Sequence, residues 1–258
     1  MIQRVTIIGA GNLATHLAKA FSKAGIQIVQ VYSRTLGSAG ALGTTLGVPF
    51  TNIISEIDLN TDLVILSVKD DAMGQVLDQT DLSQRLVVHT AGSVSMDFLS
   101  QYSERCGVFY PLQTFSKERE IDFSGIPVCI EAKSAEILAE LNALAAKISK
   151  TIYEINSDDR KILHLAAVFA CNFVNYFYDI SGQLLEKQGL SFDLLKPLIR
   201  ETAAKVMVMT PSDAQTGPAK RYDETIVNKH LKLMEDRPQL SEIYSLITNS
   251  IYQAHKKN

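Results

Sequence analysis

The sequence lacks a charge excess of either sign and lacks long hydrophobic runs. Lys and Arg total 25 against 28 Asp and Glu, which gives a net charge of -3 at pH 7. Sequence-independent binding to nucleic acid needs clustered cations that displace counterions, so this balance argues against a nucleic-acid partner. No uninterrupted apolar run reaches the roughly 18 to 20 residues that span a bilayer. Since Met1 also leads directly into a strand pattern, we expect no membrane partner and a cytoplasmic location.

Paired cysteines and clusters of metal ligands are also missing. The three cysteines, Cys106, Cys129 and Cys171, are an odd number, widely spaced and set in apolar surroundings. This pattern is typical of reduced, buried thiols rather than disulfides. No CxxC pair or His/Cys cluster has the spacing of a metal site, so we expect no metal.

Short β-branched runs alternate with amphipathic stretches from Arg4 to about Ile155. The alternation predicts an α/β domain with a doubly wound, mostly parallel sheet that helices cover on both faces. The predicted strands are residues 5–9, 28–32, 63–68, 86–89, 108–110, 127–130 and 151–155. The predicted crossover helices include residues 13–24, 96–101 and 135–147.

The pattern changes at the polar segment Asn156-Ser157-Asp158-Asp159, which has the composition of a helix cap with two acids in the first turn. No convincing strand follows it. The predicted helices are residues 158–187, 191–209, 223–235 and 239–255. We therefore predict two domains, residues 1–155 and an all-α domain of residues 156–258.

The first strand runs into Gly9-Ala10-Gly11-Asn12-Leu13-Ala14. In the Rossmann fold the first glycine permits the tight turn, the second lets the backbone approach a pyrophosphate, and the third small residue lies where helix and strand touch. The anion rests on free N–H groups at the helix N-terminus. We therefore predict that residues 1–155 form a dinucleotide-binding Rossmann domain, with residues 9–13 at the cofactor.

The end of the second strand shows which dinucleotide to expect. An NAD-binding domain usually has an Asp or Glu there for the ribose hydroxyls, but this chain has Ser33-Arg34-Thr35. Two hydroxyls and a guanidinium suit a 2′-phosphate, so we predict NADP as the cofactor. Arg34 as an ordinary solvated arginine is the alternative.

Two further loops follow strands at the same sheet edge. Ser67-Val68-Lys69 lies at the carboxyl end of the strand predicted for residues 63–68, and Thr90 to Ser93 comes after His89. We assign Ser67, Val68, Lys69, Thr90 and Ala91 to the nicotinamide half of the cofactor. Loops of this composition also arise from local turn preferences alone, so that alternative stays open.

The long helix carries one polar stripe, formed by Lys161, His164, Asn172, Asn175 and Asp179 at about 100° per residue. The rest of this helix is mostly apolar or aromatic, so we expect it to be buried on most sides. His164 is the natural general acid, because reduction of a carbonyl or imine requires a proton. Asn172 could hold a substrate oxygen. The alternative is a core histidine bound to a backbone carbonyl.

The segment Thr216-Gly217-Pro218-Ala219-Lys220-Arg221-Tyr222-Asp223 combines a turn, two cations and an acid. Arg221 could clamp a substrate carboxylate bidentately. Equally, Arg221 could be a surface residue and Asp223 the N-cap of the next helix.

In these motifs the chain resembles NADP oxidoreductases of a Rossmann-like family of unknown function. That family is related to deazaflavin-dependent NADP reductases, ketopantoate reductase, pyrroline-5-carboxylate reductase and 6-phosphogluconate dehydrogenase. The resemblance covers essentially the whole length and rests on the glycine turn, residues 33–35, His89-Thr90-Ala91-Gly92-Ser93, Tyr110-Pro111-Leu112-Gln113-Thr114-Phe115, His164 with Asn172, and residues 216–223.

The resemblance implies a Rossmann domain joined to a helical domain of the 6-phosphogluconate dehydrogenase C-terminal type. It also implies a cleft between the domains and a homodimer formed through the helices. Better-characterised relatives carry Lys-x-x-x-Asn on the long helix, whereas here Leu165 stands four residues after Lys161. Tyr222 stands where the family commonly has glycine.

The leading hypothesis is an NADP-dependent oxidoreductase that transfers a hydride between NADP(H) and a small, carboxylated carbonyl or imine compound. In it, His164 supplies the proton, Gln113 and Asn172 orient the substrate, and Arg221 holds its anionic end. Asp223 is also assigned to the substrate site. One alternative is a non-catalytic NADP-binding sensor or dimeric interaction module, which the missing Lys-x-x-x-Asn favours. Another is an enzyme with a deazaflavin as hydride partner.

Overall fold

The computed structural model describes residues 1–256. One eight-stranded sheet has the strand order β3-β2-β1-β4-β5-β6-β7-β8. The strands are β1 (Arg4–Ile8), β2 (Gln27–Tyr32), β3 (Phe50–Thr51), β4 (Leu63–Leu66), β5 (Leu86–His89), β6 (Cys106–Pro111), β7 (Val128–Ala132) and β8 (Ile152–Glu154). Neighbouring strands are parallel except for β6 and β7. The predicted doubly wound, mostly parallel sheet is confirmed.

Apolar residues on both faces of the central strands explain this sheet. Ile7 and Ile65 belong to the core cluster on one face, whereas their neighbours Ile8 and Leu66 belong to the cluster on the other. Successive side chains of a strand point to opposite faces, and helices cover both faces of a parallel sheet. Each central strand is therefore an unbroken apolar run.

The helices of the first compact unit connect these strands or follow the last of them. They are α1 (Asn12–Lys23), α2 (Leu36–Leu46), α3 (Met73–Leu77), α4 (Ala135–Ala145) and α5 (Ser157–Ala167). Residues 96–101, predicted to be a crossover helix, form a 3-10 helix instead. The side chain of Asn156 accepts hydrogen bonds from Asp158 N–H and Asp159 N–H, which confirms the predicted cap of α5.

The long helix changes its geometry after α5. Val168–Phe173 is π-helical, and α6 (Val174–Glu186) follows it. Because a π-helix closes its hydrogen bonds over five residues, it adds a residue to the turn and rotates everything beyond it. The predicted polar stripe assumed uniform α-helical spacing, so its angular alignment does not hold past Ala167.

The chain divides into two compact units, Met1–Asn175 and a second that begins at Tyr176. The sequence instead placed the domain boundary after residue 155, where the strand pattern ends. In the second unit, α6 is followed by α7 (Lys196–Lys205), α8 (Pro211–Ala214), α9 (Pro218–Arg221), α10 (Glu224–Leu233) and α11 (Pro238–His255). Residues 176–256 contain no strand, as predicted.

Two burial predictions for the long helix are wrong. Cys106 and Cys129 are buried, but Cys171 is exposed. Ile162 and Phe169 are 67% and 62% exposed, so the apolar side of the helix is not covered within one chain. An apolar face in the periodicity of a helix predicts that the face is buried. It does not show whether the same chain or a second one covers it. No helix within residues 1–256 is both long and apolar enough to cross a bilayer.

Candidate functional site

Two glycines shape the turn between β1 and α1. Gly9 has φ +125°, and a Cβ there would lie 2.1 Å from the Ser67 carbonyl oxygen, so a side chain is excluded. A Cβ at Gly11 would meet no heavy atom within 4 Å, so the space before the helix is open. Gly11 is the N-cap of α1 without a side-chain cap, and the first turn holds no acid. These free N–H groups suit an anion such as a pyrophosphate.

An open cleft of about 500 Å³ starts at this turn. It is lined by the loops that follow β1, β2 and β4, which is where a parallel sheet binds its ligand. Nine of the predicted cofactor residues line it, namely Gly9, Ala10, Gly11, Ser33, Arg34, Thr35, Ser67, Val68 and Lys69. The cleft therefore brings together the residues predicted for the pyrophosphate, for the 2′-phosphate and for the loop after β4.

The remaining wall of the cleft is formed by residues that were not among the predicted cofactor residues. Its further lining residues are Tyr32, Ser38, Ile54, Asp71, Ala72, Gln75, Val76 and Gln79. Several belong to α3 or to the turn before it, a short element that the periodicity did not reveal. The mixture of apolar and amide side chains suits the flat adenine ring and its polar edge.

The other four predicted cofactor residues contact the protein itself. Asn12 Nδ2 donates to the Phe115 carbonyl at 2.8 Å, and Leu13 packs against the core. Thr90 Oγ1 donates to Ser67 Oγ at 3.1 Å, which joins the loops after β5 and β4. The Ala91 N–H donates to His89 Nδ1 at 3.2 Å. These contacts join α1 to Phe115 and the loop after β5 to the loop after β4.

Arg34 lies at the N-terminal end of α2. Thr35 is the N-cap of this helix, and its hydroxyl donates to Ser38 Oγ at 2.8 Å. Arg34 is exposed and forms no ion pair within residues 1–256. A free guanidinium beside two hydroxyls and a helix N-terminus has the chemistry of a phosphate site. Burial raises the pKa of Tyr32, and the Arg34 charge opposes that shift.

His89 ends β5 and is fully buried. Burial, with a smaller contribution from the positive charge of Arg160, lowers its pKa to about 4. His89 is therefore neutral at physiological pH, and its Nδ1 accepts the hydrogen bond from Ala91. This side chain orders the loop after β5 and, being neutral near pH 7, is not a candidate for the proton donor.

His164 lies against that same loop. A Cβ at Gly92 would be 2.6 Å from Cγ and Nδ1 of His164, so the imidazole occupies the space that a side chain at residue 92 would need. Nδ1 of His164 lies 3.1 Å from the hydroxyl of Tyr110 on β6. Nε2 has no hydrogen-bond partner within residues 1–256, and the side chain is half-buried. The predicted alternative, a histidine bound to a backbone carbonyl, does not describe this arrangement.

A buried arginine fixes the helix that carries His164. Arg160 is fully buried and pairs with Glu131 on β7. Its Nη2 also donates to the Val94 carbonyl at 2.5 Å, and Ser157 Oγ donates to Glu131 at 2.8 Å. The first turn of α5 is thus attached both to the sheet and to the loop after β5, and His164 follows one turn later.

The structure does not bring Gln113 or Asn172 to His164 by any hydrogen bond within the described chain. Gln113 Oε1 accepts from the Thr114 N–H at 2.8 Å and lines a separate cavity of about 280 Å³ beside Arg119. Asn172 is exposed on the π-helical segment. Their roles in binding a substrate stay predictions.

The segment of residues 216–223 contains a short helix, α9, rather than only a loop. Arg221 is its last residue and is exposed. Asp223 is the N-cap of α10 and accepts from Ile226 N–H at 3.2 Å, as the structural alternative predicted. Tyr222 between them has φ +50°, the left-handed conformation that glycine favours. Its ring packs 4.6 Å from that of Tyr252, between ring centroids.

The parallel sheet, the glycine turn and the cleft along the strand ends define a dinucleotide-binding Rossmann protein. Family models match two parts of the chain. Residues 4–92 match the family described as NADP oxidoreductase, coenzyme F420-dependent, and residues 126–251 match a domain of unknown function (DUF2520). No curated protein is significantly similar to the chain.

Solved structures resemble the chain over nearly its full length. A protein of Bacteroides fragilis, described as a candidate NADP oxidoreductase, is 46% identical, with 98% of each chain covered and a TM-score of 0.95. A Thermotoga maritima protein is 22% identical, with 96% and 99% covered and a TM-score of 0.77. An imine reductase of Myxococcus stipitatus in complex with NADP+ is 18% identical, with 97% and 93% covered and a TM-score of 0.71; these two show the fold alone.

The chain belongs to the family of the Bacteroides fragilis protein, the Rossmann-type NADP oxidoreductases. NADP is the cofactor of this family, which confirms the cofactor predicted from residues 33–35. The resemblance predicted from the sequence motifs is likewise confirmed.

Proposed function

We propose that the chain is an NADP-dependent reductase or dehydrogenase that acts on a small, carboxylated carbonyl or imine compound. The observation that carries the proposal is the position of His164 against Gly92. Thr90, two residues before Gly92, is bonded to Ser67, which lines the cofactor cleft. The imidazole of His164 thus packs against a loop that is bonded to the wall of the cleft.

The cleft residues fit NADP. In this proposal the free N–H groups around Gly11 hold the pyrophosphate, and Arg34, Ser33 and Ser38 hold the 2′-phosphate. NADPH supplies a hydride to the carbonyl or imine carbon when it is bound. The electrons of the double bond move to oxygen or nitrogen, which takes its proton from Nε2 of the His164 imidazolium, and the ring is left neutral.

The experiment measures NADPH oxidation with a panel of 2-keto acids and cyclic imino acids, in the wild type and in His164→Gln. We expect turnover to fall by about 10² or more, as for loss of a general acid, with the Kd for NADPH unchanged. Lys161→Gln is the matched control, because Lys161 is exposed on the same helix and its ion pair among residues 1–256 is with Asp158. Full turnover in His164→Gln would remove His164 from the mechanism.

The same panel distinguishes the two alternatives. A sensor without turnover is favoured by the positions of Gln113 and Asn172, neither of which is bonded to His164. It predicts NADPH binding with no substrate reduced. A deazaflavin hydride partner is favoured by the family match of residues 4–92. It predicts that NADPH is oxidised only when an oxidised deazaflavin is present.

The uncovered side of the long helix supports a homodimer. Ile162, Leu165, Phe169 and Phe173 are 67%, 53%, 62% and 44% exposed. Exposed apolar side chains in a contiguous patch usually mark an interface, and a second copy of this chain is the partner that the proposal names. Sedimentation analysis should give a dimer for the wild type and a monomer for Phe169→Asp, with Lys161→Asp as the control; a monomeric wild type contradicts this part of the proposal.

A further inference from the structure

The hydroxyl of Tyr110 is the only hydrogen-bond partner of His164 Nδ1 within residues 1–256. Tyr110 lies on β6 and is buried, with Val108 and Cys129 of the sheet and Leu163 of α5 around it. Burial raises its pKa, so the hydroxyl keeps its hydrogen at physiological pH. The two rings meet edge to face, with centroids 6.2 Å apart.

The available hydrogen-bond partners determine whether Tyr110 Oη or His164 Nδ1 is the donor in this pair. Tyr110 Oη forms no other hydrogen bond in the described chain. If Nδ1 carried a hydrogen and donated it to Oη, the phenolic hydrogen would be buried without an acceptor, which is unfavourable. If the hydroxyl donates to Nδ1, the buried phenolic hydrogen has its acceptor, and the hydrogen of a neutral imidazole is on Nε2, which is free to bond a ligand.

Gly92 keeps the ring in this orientation. The backbone at residue 92 lies against the Cγ–Nδ1 edge of the imidazole, so a Cβ there would be 2.6 Å from both atoms. That edge is therefore held between Gly92 and Tyr110, while Nε2 remains without a protein partner among residues 1–256. Arg160, one turn earlier on α5, attaches the helix to β7.

We propose that Tyr110 is a positioning residue that holds His164 in the tautomer with hydrogen on Nε2. Nε2 then carries a hydrogen in both protonation states of the imidazole and always presents a donor. A substrate oxygen or nitrogen can therefore accept a hydrogen bond from Nε2, and the proton itself is transferred only from the protonated, cationic ring. The inference rests on the proposed function only for the role of this donor, since the tautomer exists without substrate or cofactor.

The experiment is ¹⁵N NMR of the histidine rings in the full chain, at about pH 9, where imidazole side chains are neutral. The His164 signals are assigned by their loss in His164→Gln. We expect hydrogen on Nε2 in the wild type. In Tyr110→Phe the ratio of Nε2–H to Nδ1–H tautomers should fall about fivefold, which corresponds to a hydrogen bond of about 1 kcal/mol.

Tyr244→Phe is the matched control. Tyr244 Oη lies 2.8 Å from Nδ1 of His230, an equivalent pair in the second unit. This variant should change the signals of His230 and leave those of His164 as they are. A structural change that spreads through the chain would instead shift the signals of both histidines.

Hydrogen on Nδ1 in the wild type overturns the inference, and so does an unchanged tautomer ratio in a folded Tyr110→Phe variant. If that variant fails to fold, the wild type alone decides. A coupling across the hydrogen bond between the Tyr110 hydroxyl hydrogen and Nδ1 supports the inference, and its absence overturns it. Failure of the proposed reductase function would instead appear as absent turnover with the tautomer intact.

Discussion

Arg160, a fully buried cation, forms its ion pair with Glu131 across the junction of α5 and β7. The side chain of Glu131 is 16% exposed and also accepts from Ser157, so this carboxylate organises the start of the long helix. Residues 131 and 160 are distant in the sequence, and the pair connects the sheet to the helix that carries His164. The ion pair thus helps to fix the helix that carries the candidate general acid.

Glu131→Gln should destabilise the fold by about 3–5 kcal/mol, because it leaves Arg160 as a buried charge without its partner. Lys161→Met is the control, since it removes the exposed pair with Asp158 and should cost less than about 1 kcal/mol. Urea denaturation measures both. In the double variant Glu131→Gln/Arg160→Met part of the loss should return. Equal effects of Glu131→Gln and Lys161→Met would show that the buried pair has no special importance.

His89 should make stability depend on pH. Its folded-state pKa of about 4 is below the unfolded value of about 6.5, so the unfolded chain binds a proton first as the pH falls. The contribution of His89 to the free energy of unfolding is fully present above about pH 6.5 and is lost as the pH falls towards 4. Between pH 7 and pH 5 the loss should be about 2 kcal/mol.

His89→Asn removes the titrating group and keeps an acceptor for the Ala91 N–H. The difference in unfolding free energy between pH 7 and pH 5 should therefore be smaller in His89→Asn than in the wild type. The same difference in both proteins would mean that His89 titrates normally in the folded state.

Gly9→Ala and Gly11→Ala should separate folding from cofactor binding. The methyl at residue 9 would clash with the Ser67 carbonyl, and residues with a side chain rarely adopt the backbone conformation found there. We therefore expect the free energy of unfolding to fall by about 3 kcal/mol or more. The methyl at residue 11 meets open space, so stability should change by less than about 1 kcal/mol. It should nevertheless fill the space in front of the helix N-terminus.

Calorimetric titration of Gly11→Ala should therefore show NADPH binding weakened by about tenfold or more, a loss of about 1.4 kcal/mol. Unchanged affinity in this folded variant would place the pyrophosphate elsewhere.

Tyr222 holds a left-handed conformation at the start of the segment that leads into α10. Tyr222→Ala and Tyr222→Gly both remove the ring contact with Tyr252, but only glycine adopts the left-handed conformation without strain. The glycine variant should therefore be more stable than the alanine variant by about 1 kcal/mol, measured by thermal unfolding. If the two variants have the same melting temperature, residue 222 does not carry this strain in solution.

The sheet and the glycine turn were predictable because they depend on local patterns. The helix α2 was not, since Gly37, Gly40 and Gly43 resemble a loop. In the fold a Cβ at Gly43 would lie 2.6 Å from the ring of Phe50, so glycine is there for close packing. The two-residue strand β3 is likewise too short for a periodic signal.

The candidate site was predictable only in part. Arg34 and His164 stand out by residue type and position, but Tyr110 and Gly92 gain their meaning from contacts between distant segments. Asn172 was aligned with His164 on an α-helical spiral, and the π-helical turn at Val168–Phe173 has no sequence signature that would have corrected the angle.

The most direct measurement of the central claim is a crystal structure of the chain with NADPH bound. The account predicts the adenine end beside Arg34 and Ser38, and the hydride-bearing carbon facing His164. The distance from that carbon to Nε2 should be on the order of 6 Å, which leaves room for one reacting double bond between contacts of about 3 Å each. A nicotinamide ring that lies away from His164 and Gly92, surrounded by other side chains, would contradict it.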